Sequence, residues 1–169
     1  MDTGEIINKV AFSGLITFNL ADYYTPGDRV MLDIKPWLYM ELMLKEKDFR
    51  EHVKQHDWSQ YKDACVAVQC SADAIIPTWA YMLIATRLQP HTEHFIFGSA
   101  AQLEIELFLR KLQSVDFSAF QGQKMVIKGC SDVAVPESIY VELTRRLMPY
   151  ADKLMYGEPC STVPLYKKS

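Results

Sequence analysis

The sequence predicts an α/β protein built around a parallel, or mostly parallel and mixed, sheet. Short apolar runs alternate with amphipathic helical segments over the last two thirds of the chain, as in sheets joined by crossover helices. An internal repeat at an offset of 59 residues pairs Asp73 with Asp132 and Tyr81 with Tyr140. The chain has 169 residues, 49% of them hydrophobic, which suits a single domain over 1–169.

Residues 1–60 are expected to form an N-terminal antiparallel strand pair and a helix. Two apolar runs, separated by a turn that contains Pro26 and Gly27, predict the strand pair. The predicted strands are 15–20 and 30–34, and the predicted helices are 45–56 and a short segment at 5–10.

Two repeated strand-helix-strand units are predicted to follow, over 61–119 and 120–169. Each has a buried strand, a loop that begins with Cys-Ser, a helix and a second strand. The predicted strands are 65–68, 95–97, 125–127 and 154–156, the predicted helices are 77–88, 100–112 and 136–148, and the tail 158–169 is expected to add an edge strand.

The helix predicted over 77–88 has almost no polar face. A helix that is apolar all round is buried on every side, so either the N-terminal segment or a second chain is expected to cover it. We predict a homodimer with this helix at or near the interface.

Composition excludes several classes of function. The net charge of -3 and the lack of a basic stripe predict no binding to nucleic acid, and the longest nearly apolar run, 74–85, is too short to span a membrane. The amino terminus lacks a secretory pattern, so we expect a cytoplasmic protein whose four cysteines are thiols or metal ligands.

Three Cys-Ser pairs are the strongest chemical signal. Each follows an apolar strand, and the carboxyl ends of parallel strands meet at one edge of a sheet, where thiolates from separate loops could bind zinc or an iron–sulfur cluster. The candidate metal ligands are Cys70, Cys130 and Cys160. The groups expected to orient them, or to bind an anion, are Ser71, Asp73, Ser131, Asp132, Glu158 and Ser161.

Two alternatives remain open at this point. Cysteine packs well at a tight strand end, and the serines and aspartates could be ordinary helix caps and loop hydrogen-bonders in a module that binds a small ligand or a protein. A catalytic thiol is the third possibility, but no histidine is placed in the sequence as its base, so no catalytic residue is assigned.

Six segments resemble a bacterial family, that of domain of unknown function 2480. They are 13–17 (SGLIT), 45–50 (KEKDFR), 56–61 (HDWSQY), 70–81 (CSADAIIPTWAY), 128–132 (KGCSD) and 157–164 (GEPCSTVP). The resemblance implies a single-domain cytoplasmic protein with no established activity. It also implies a gene neighbourhood with sulfur-mobilisation genes for iron–sulfur cluster assembly. We therefore expect a non-enzymatic accessory protein in iron–sulfur cluster or metal handling, with iron–sulfur assembly proteins as partners.

Overall fold

A computed structural model describes residues 14–129, 132–158 and 161–169. Over these residues the protein is a mixed α/β structure with one mixed and one parallel sheet. The strands are β1 (Leu15–Phe18), β2 (Arg29–Asp33), β3 (Cys65–Gln69), β4 (Phe95–Phe97), β5 (Lys124–Ile127), β6 (Lys153–Glu158) and β7 (Ser161–Lys167). The helices are α1 (Glu46–Gln55), α2 (Thr78–Leu88), α3 (Ala100–Gln113) and α4 (Glu137–Leu147).

The chain divides into two compact units. The first, Pro26–Leu107, is called the central unit. The second, residues 14–25 together with the described part of Phe108–Ser169, is called the terminal unit.

The central unit has a parallel sheet in the order β2-β3-β4. Its middle strand is buried on both faces, and α2 joins it to β4, as expected for a parallel sheet with a crossover helix. Phe49 and Val53 of α1 are buried at 0% and 1% exposure, which confirms the inward stripe that helical spacing predicts.

The terminal unit has a mixed sheet in the order β1-β5-β6-β7. The first three strands are parallel, and α4 joins β5 to β6. The tail adds β7 antiparallel to β6, which confirms the predicted edge strand. The inward stripe of α4 consists of three fully buried side chains, Ile139, Leu143 and Leu147.

The predicted N-terminal antiparallel pair is wrong. β1 pairs with β5 and β2 pairs with β3, both in parallel, so the two strands belong to different sheets. The residues after β1 form a 3-10 helix, Leu20–Tyr23, which Asn19 caps by accepting a hydrogen bond from the backbone N–H of Ala21. The connection is therefore not a hairpin turn, although Pro26 and Gly27 follow it.

Within the part of the chain that the structure describes, helix α2 is buried on one face and not on every side. Ala80, Ile84 and Leu88 are fully buried, whereas Met82 is 64% exposed. The reason is the spacing of three to four residues, which turns one stripe towards the sheet and leaves the opposite face outside it. The helix predicted over 5–10 lies outside the described residues, and a single domain over 1–169 stays a prediction. Over the same described ranges, no helix has the length and apolar character needed to cross a membrane.

Candidate functional site

The terminal unit contains a pocket of about 580 Å³ at the carboxyl end of β5, lined also by residues of α4, β6 and β7 and called here the tyrosine pocket. Two tyrosine rings, a threonine and a glutamate supply its polar groups, and aliphatic side chains supply most of the rest. The lining residues are Ile127, Gly129, Val133, Val135, Glu137, Tyr140, Val141, Thr144, Tyr156 and Leu165.

Strand register brings one wall of the tyrosine pocket together. Ile127 lies directly opposite Tyr156 on the neighbouring strand, so both side chains point to the same face of the sheet. Gly129 follows on that face, and a Cβ atom there would lie 2.9 Å from the tip of the Tyr156 ring. Glycine therefore lets the ring of Tyr156 lie over the backbone at the end of β5.

Helix α4 forms the opposite wall. Glu137, Tyr140 and Thr144 recur at helical spacing on one face, beside the face that packs into the core. The Tyr140 and Tyr156 rings meet edge to face at 5.8 Å between centroids, a favourable arrangement for an aromatic pair. The Thr144 hydroxyl donates a hydrogen bond of 2.8 Å to the backbone carbonyl of Tyr140, which fixes the hydroxyl oxygen beside the pocket.

Three of the predicted site residues, Cys130, Ser131 and Cys160, lie outside the described residues. Their described neighbours lie at the edge where β5 and β6 end: Gly129 lines the tyrosine pocket and Glu158 is the last residue of β6. Within the described part of the chain, the buried Oε1 atom of Glu158 has no hydrogen-bond partner. Of the other predicted orienting groups in this unit, Asp132 and Ser161 are exposed, and Ser161 faces Glu158 across the hairpin.

The corresponding loop of the central unit is tied to its sheet by Ser71. The Ser71 N–H donates to Asp33 Oδ1 at 3.0 Å, and the Ser71 hydroxyl donates to Asp33 Oδ2. Asp33 Oδ1 also accepts the backbone N–H of Lys35 at 3.0 Å. Asp33 is the last residue of β2, so it anchors the loop after β3 to the end of the neighbouring strand.

This anchor changes the acidity of the carboxyl group. Burial alone would raise the pKa of Asp33, but the hydrogen bonds from Ser71 and Lys35 outweigh it and lower the pKa below the ordinary value. Nearby, burial and then the proximity of Cys70 and Asp33 raise the pKa of Tyr81. Cys70 is half-buried, and its thiol makes a weak contact of 3.9 Å with the carbonyl of Ala72.

The sequence model of a family described as "Protein of unknown function (DUF2480)" matches residues 4–168. The chain belongs to this family. The match confirms the resemblance seen in the sequence motifs and covers nearly the whole chain. Comparison with curated proteins and with solved structures finds no match to the chain.

In this DUF2480 protein Ser71 acts as a loop hydrogen-bonder and not as a helix cap. Helices α2 and α4 begin after Pro77 and Pro136, and neither helix has a side-chain cap. Ser71 bonds to a strand end rather than to a helix, and Asp73 and Asp132 are exposed in the loops before the prolines. In the central unit the Cys-Ser loop is therefore bonded to the sheet edge and not to a helix terminus.

The described residues contain no group of three or more His, Cys, Asp or Glu side chains placed to hold a metal ion. Of the predicted ligands only Cys70 is described, so the three-cysteine site stays a prediction. Cys65, which was not a candidate, is fully buried at the start of β3, and burial raises the pKa of its thiol.

Sequence reasoning missed Asp33 and the two tyrosines of the DUF2480 pocket. Asp33 could have been found, because aspartate side chains often accept a hydrogen bond from the backbone N–H two residues later. Asp33 does so with the N–H of Lys35. Tyr140 was noticed only as half of a repeat pair, and nothing in the sequence indicates that Tyr156 would meet it.

Proposed function

We propose that the protein binds a small organic molecule in the tyrosine pocket. The observation that carries this proposal is the pocket's position, at the carboxyl end of β5, which is paired in parallel with β6. Open α/β sheets bind their ligands at this edge, and pockets for small molecules are mostly apolar with a few fixed polar groups.

The lining indicates the chemistry of the ligand. Aliphatic side chains and two aromatic rings favour a ligand with an apolar or flat body. The hydroxyl groups of Tyr156 and Thr144 can hydrogen-bond to a polar group on it, and Glu137 disfavours an anion near the start of α4. A neutral or cationic molecule with one or two hydrogen-bonding groups fits this lining best.

We infer further that the two units are copies of one strand-helix-strand unit that have diverged. Helices α2 and α4 have 11 residues each, and both follow a proline. The aromatic pair that corresponds to Tyr140 and Tyr156 is Tyr81 and Phe97, whose centroids are only 4.5 Å apart. The terminal pair meets edge to face at 5.8 Å, so the two units differ in how the corresponding rings pack.

The proposal is tested by ligand-observed NMR with a library of small aromatic and aliphatic amines, alcohols and carboxylic acids. Val141 lines the pocket and is 71% exposed, so Val141→Trp is expected to fill the pocket without disturbing the core. Leu42→Trp is the matched control, because Leu42 is 65% exposed, belongs to the central unit and is not part of the lining. We expect Val141→Trp to weaken binding of a hit by at least about tenfold, or about 1.4 kcal/mol. Equal binding to both variants, or no binder for the wild-type protein, would reject the proposal.

A thiol site in metal or iron–sulfur handling is a second candidate. It is supported by the parallel pairing of β5 with β6, whose ends lie at the same sheet edge. In the sequence, Cys130 comes one residue after Gly129, and Cys160 comes two residues after Glu158. Cys70 is the third proposed ligand. The test is metal analysis and visible absorbance after anaerobic purification, with Cys65→Ser as the control for Cys130→Ser and Cys160→Ser. We expect stoichiometric metal in the wild-type protein and in the Cys65→Ser control, and loss of the metal in Cys130→Ser and in Cys160→Ser. A metal-free wild-type protein contradicts this candidate.

We also propose that the exposed face of α2 forms a homodimer contact. Met82 of α2, Ile75 before it and Phe97 of β4 are exposed at 64%, 95% and 66%, and a second chain could cover these apolar side chains. Light scattering should give twice the monomer mass for the wild-type protein and the monomer mass for Met82→Lys. A wild-type monomer at micromolar concentration would show that the contact does not form.

A further inference from the structure

A row of lysines crosses the terminal sheet at the end opposite the tyrosine pocket. Lys124 of β5 lies directly opposite Lys153 of β6, and Lys153 lies directly opposite Lys167 of β7. Directly opposed residues have their Cβ atoms about 4.5–5.5 Å apart on one face of the sheet. Strand register therefore places the side chains of three lysines next to one another on one face of the sheet.

This arrangement has a cost that the fold does not offset. Like charges directly opposite each other destabilise a sheet. Within the described ranges, no carboxylate lies within 4.0 Å of any of the three ammonium groups. The central unit handles a cation at the start of its first strand differently, since Arg29 of β2 makes two hydrogen bonds, of 2.7 Å and 3.1 Å, to the Glu104 carboxylate.

The lysine row lines a small pocket. Its volume is about 250 Å³, and it is bounded by Lys124, Asp152, Lys153, Lys167, Lys168 and Ser169. Four lysines and one aspartate concentrate positive charge here in a chain whose net charge is -3. The Lys168 N–H donates a hydrogen bond of 2.8 Å to the backbone carbonyl of Asp152. This bond connects the end of β7 to the start of β6 and holds the pocket's shape.

We propose that this pocket binds a compact multivalent anion of the phosphate class. Lysine binds phosphate as a point charge, and an anion between the three ammonium groups would replace their mutual repulsion with attraction. The volume is below the roughly 300–1,000 Å³ of pockets for drug-sized ligands, so the group bound is an inorganic phosphate or pyrophosphate, or the phosphoryl end of a larger molecule. The site is separate from the tyrosine pocket and does not depend on the function proposed for it.

The test is isothermal titration calorimetry at constant ionic strength. The protein is titrated in turn with pyrophosphate, inorganic phosphate and glucose 6-phosphate. The variant is Lys124→Gln with Lys153→Gln. The control is Lys47→Gln with Lys54→Gln on α1, which removes the same charge from the central unit. Circular dichroism verifies that both variants are folded.

We expect saturable pyrophosphate binding to the wild-type protein, a loss of at least about tenfold in the double variant and no change in the control. Binding should weaken as the salt concentration rises, because it depends on charge. In phosphate-free buffer, the double variant should resist urea better than the wild-type protein, since the repulsion is relieved. Equal affinity of the two double variants, or no saturable binding of pyrophosphate below about 1 mM, overturns the proposal. Tighter binding of glucose 6-phosphate than of pyrophosphate would identify a phosphoryl group on a larger molecule as the ligand.

Discussion

The hydrogen bonds between Ser71 and Asp33 are expected to hold the Cys70 loop against the end of β2. The substitution Ser71→Ala measures part of their contribution to the free energy of unfolding. This substitution removes the hydroxyl donor but keeps the Ser71 N–H bond of 3.0 Å. A hydrogen bond to a charged group contributes about 1.5–3 kcal/mol. Because Ser71 is exposed and Asp33 half-buried, solvent screening reduces the expected loss to about 1 kcal/mol.

Replacing the acceptor should cost more. Asp33→Ala removes the partner of three donors, two from Ser71 and one from Lys35, so we expect a loss of about 2 kcal/mol in the free energy of unfolding. In the Asp33→Ala background, Ser71→Ala should then cost almost nothing, since its hydroxyl has already lost its acceptor. The difference is a coupling energy of about 1 kcal/mol.

The same bonds predict how stability depends on pH. The pKa of Asp33 is lowered in the folded protein. The contribution of its carboxylate to the free energy of unfolding is therefore fully present above its unfolded pKa, about 3.9. The contribution is lost as the pH falls through the lower, folded pKa. Asp33→Ala should therefore destabilise the protein at pH 7 and have progressively less effect below about pH 3.9.

Urea unfolding at pH 7 and at acid pH measures both effects. The matched control is Ser59→Ala. The Ser59 hydroxyl donates a hydrogen bond of 2.6 Å to Asp57, two residues away, and this bond does not connect separate strands. The reasoning is refuted if Ser71→Ala costs about 1 kcal/mol in the Asp33→Ala background as well. An effect of Asp33→Ala that is the same at both pH values would refute the linkage.

Three further substitutions test the terminal unit. Gly157→Ala should cost about 1–3 kcal/mol in urea unfolding, because φ is +123° and the new Cβ would lie 2.5 Å from the carbonyl oxygen of Ser161. Gly129→Ala should cost less, because its Cβ would meet only the tip of the Tyr156 side chain; a larger loss than for Gly157→Ala would contradict this. Hydrogen bonds from two neighbouring arginines lower the pKa of Glu142 to about 2, so its contribution is lost as the pH falls from about 4.3 through that value. Glu142→Gln should flatten the acid side of the stability curve, and an unchanged curve would show that the bonds contribute nothing.

Secondary structure could be predicted from the sequence because it depends on local spacing. The helix predicted over 136–148 is observed as Glu137–Leu147, and the strand predicted over 95–97 is observed as Phe95–Phe97. Strand pairing could not be predicted in the same way. Leu15 of β1 pairs with Lys124, and the apolar pattern of a short strand does not specify which distant strand completes its sheet.

The candidate site shows the same division. The loop that contains Cys70 and Ser71 was found because residue types repeat along the chain. Its anchor Asp33 lies 38 residues before Ser71, and the contact between Tyr140 and Tyr156 depends on a helix packing over a strand. These partners come together only through the tertiary fold, so the sequence alone could not predict them.

Polar groups without a partner lie at both ends of the terminal sheet. At one end lysines of three neighbouring strands lie in register without a carboxylate partner, and at the other a buried oxygen of Glu158 has no hydrogen-bond partner, both judged over the described ranges. The central unit also has such a group, since the buried Nδ1 atom of His94 has no partner over the same ranges. Uncompensated polar groups lower stability, so a ligand that pairs with them should raise the unfolding temperature. If neither pyrophosphate nor a small organic ligand raises it, the unpaired groups of the terminal sheet have no role in ligand binding.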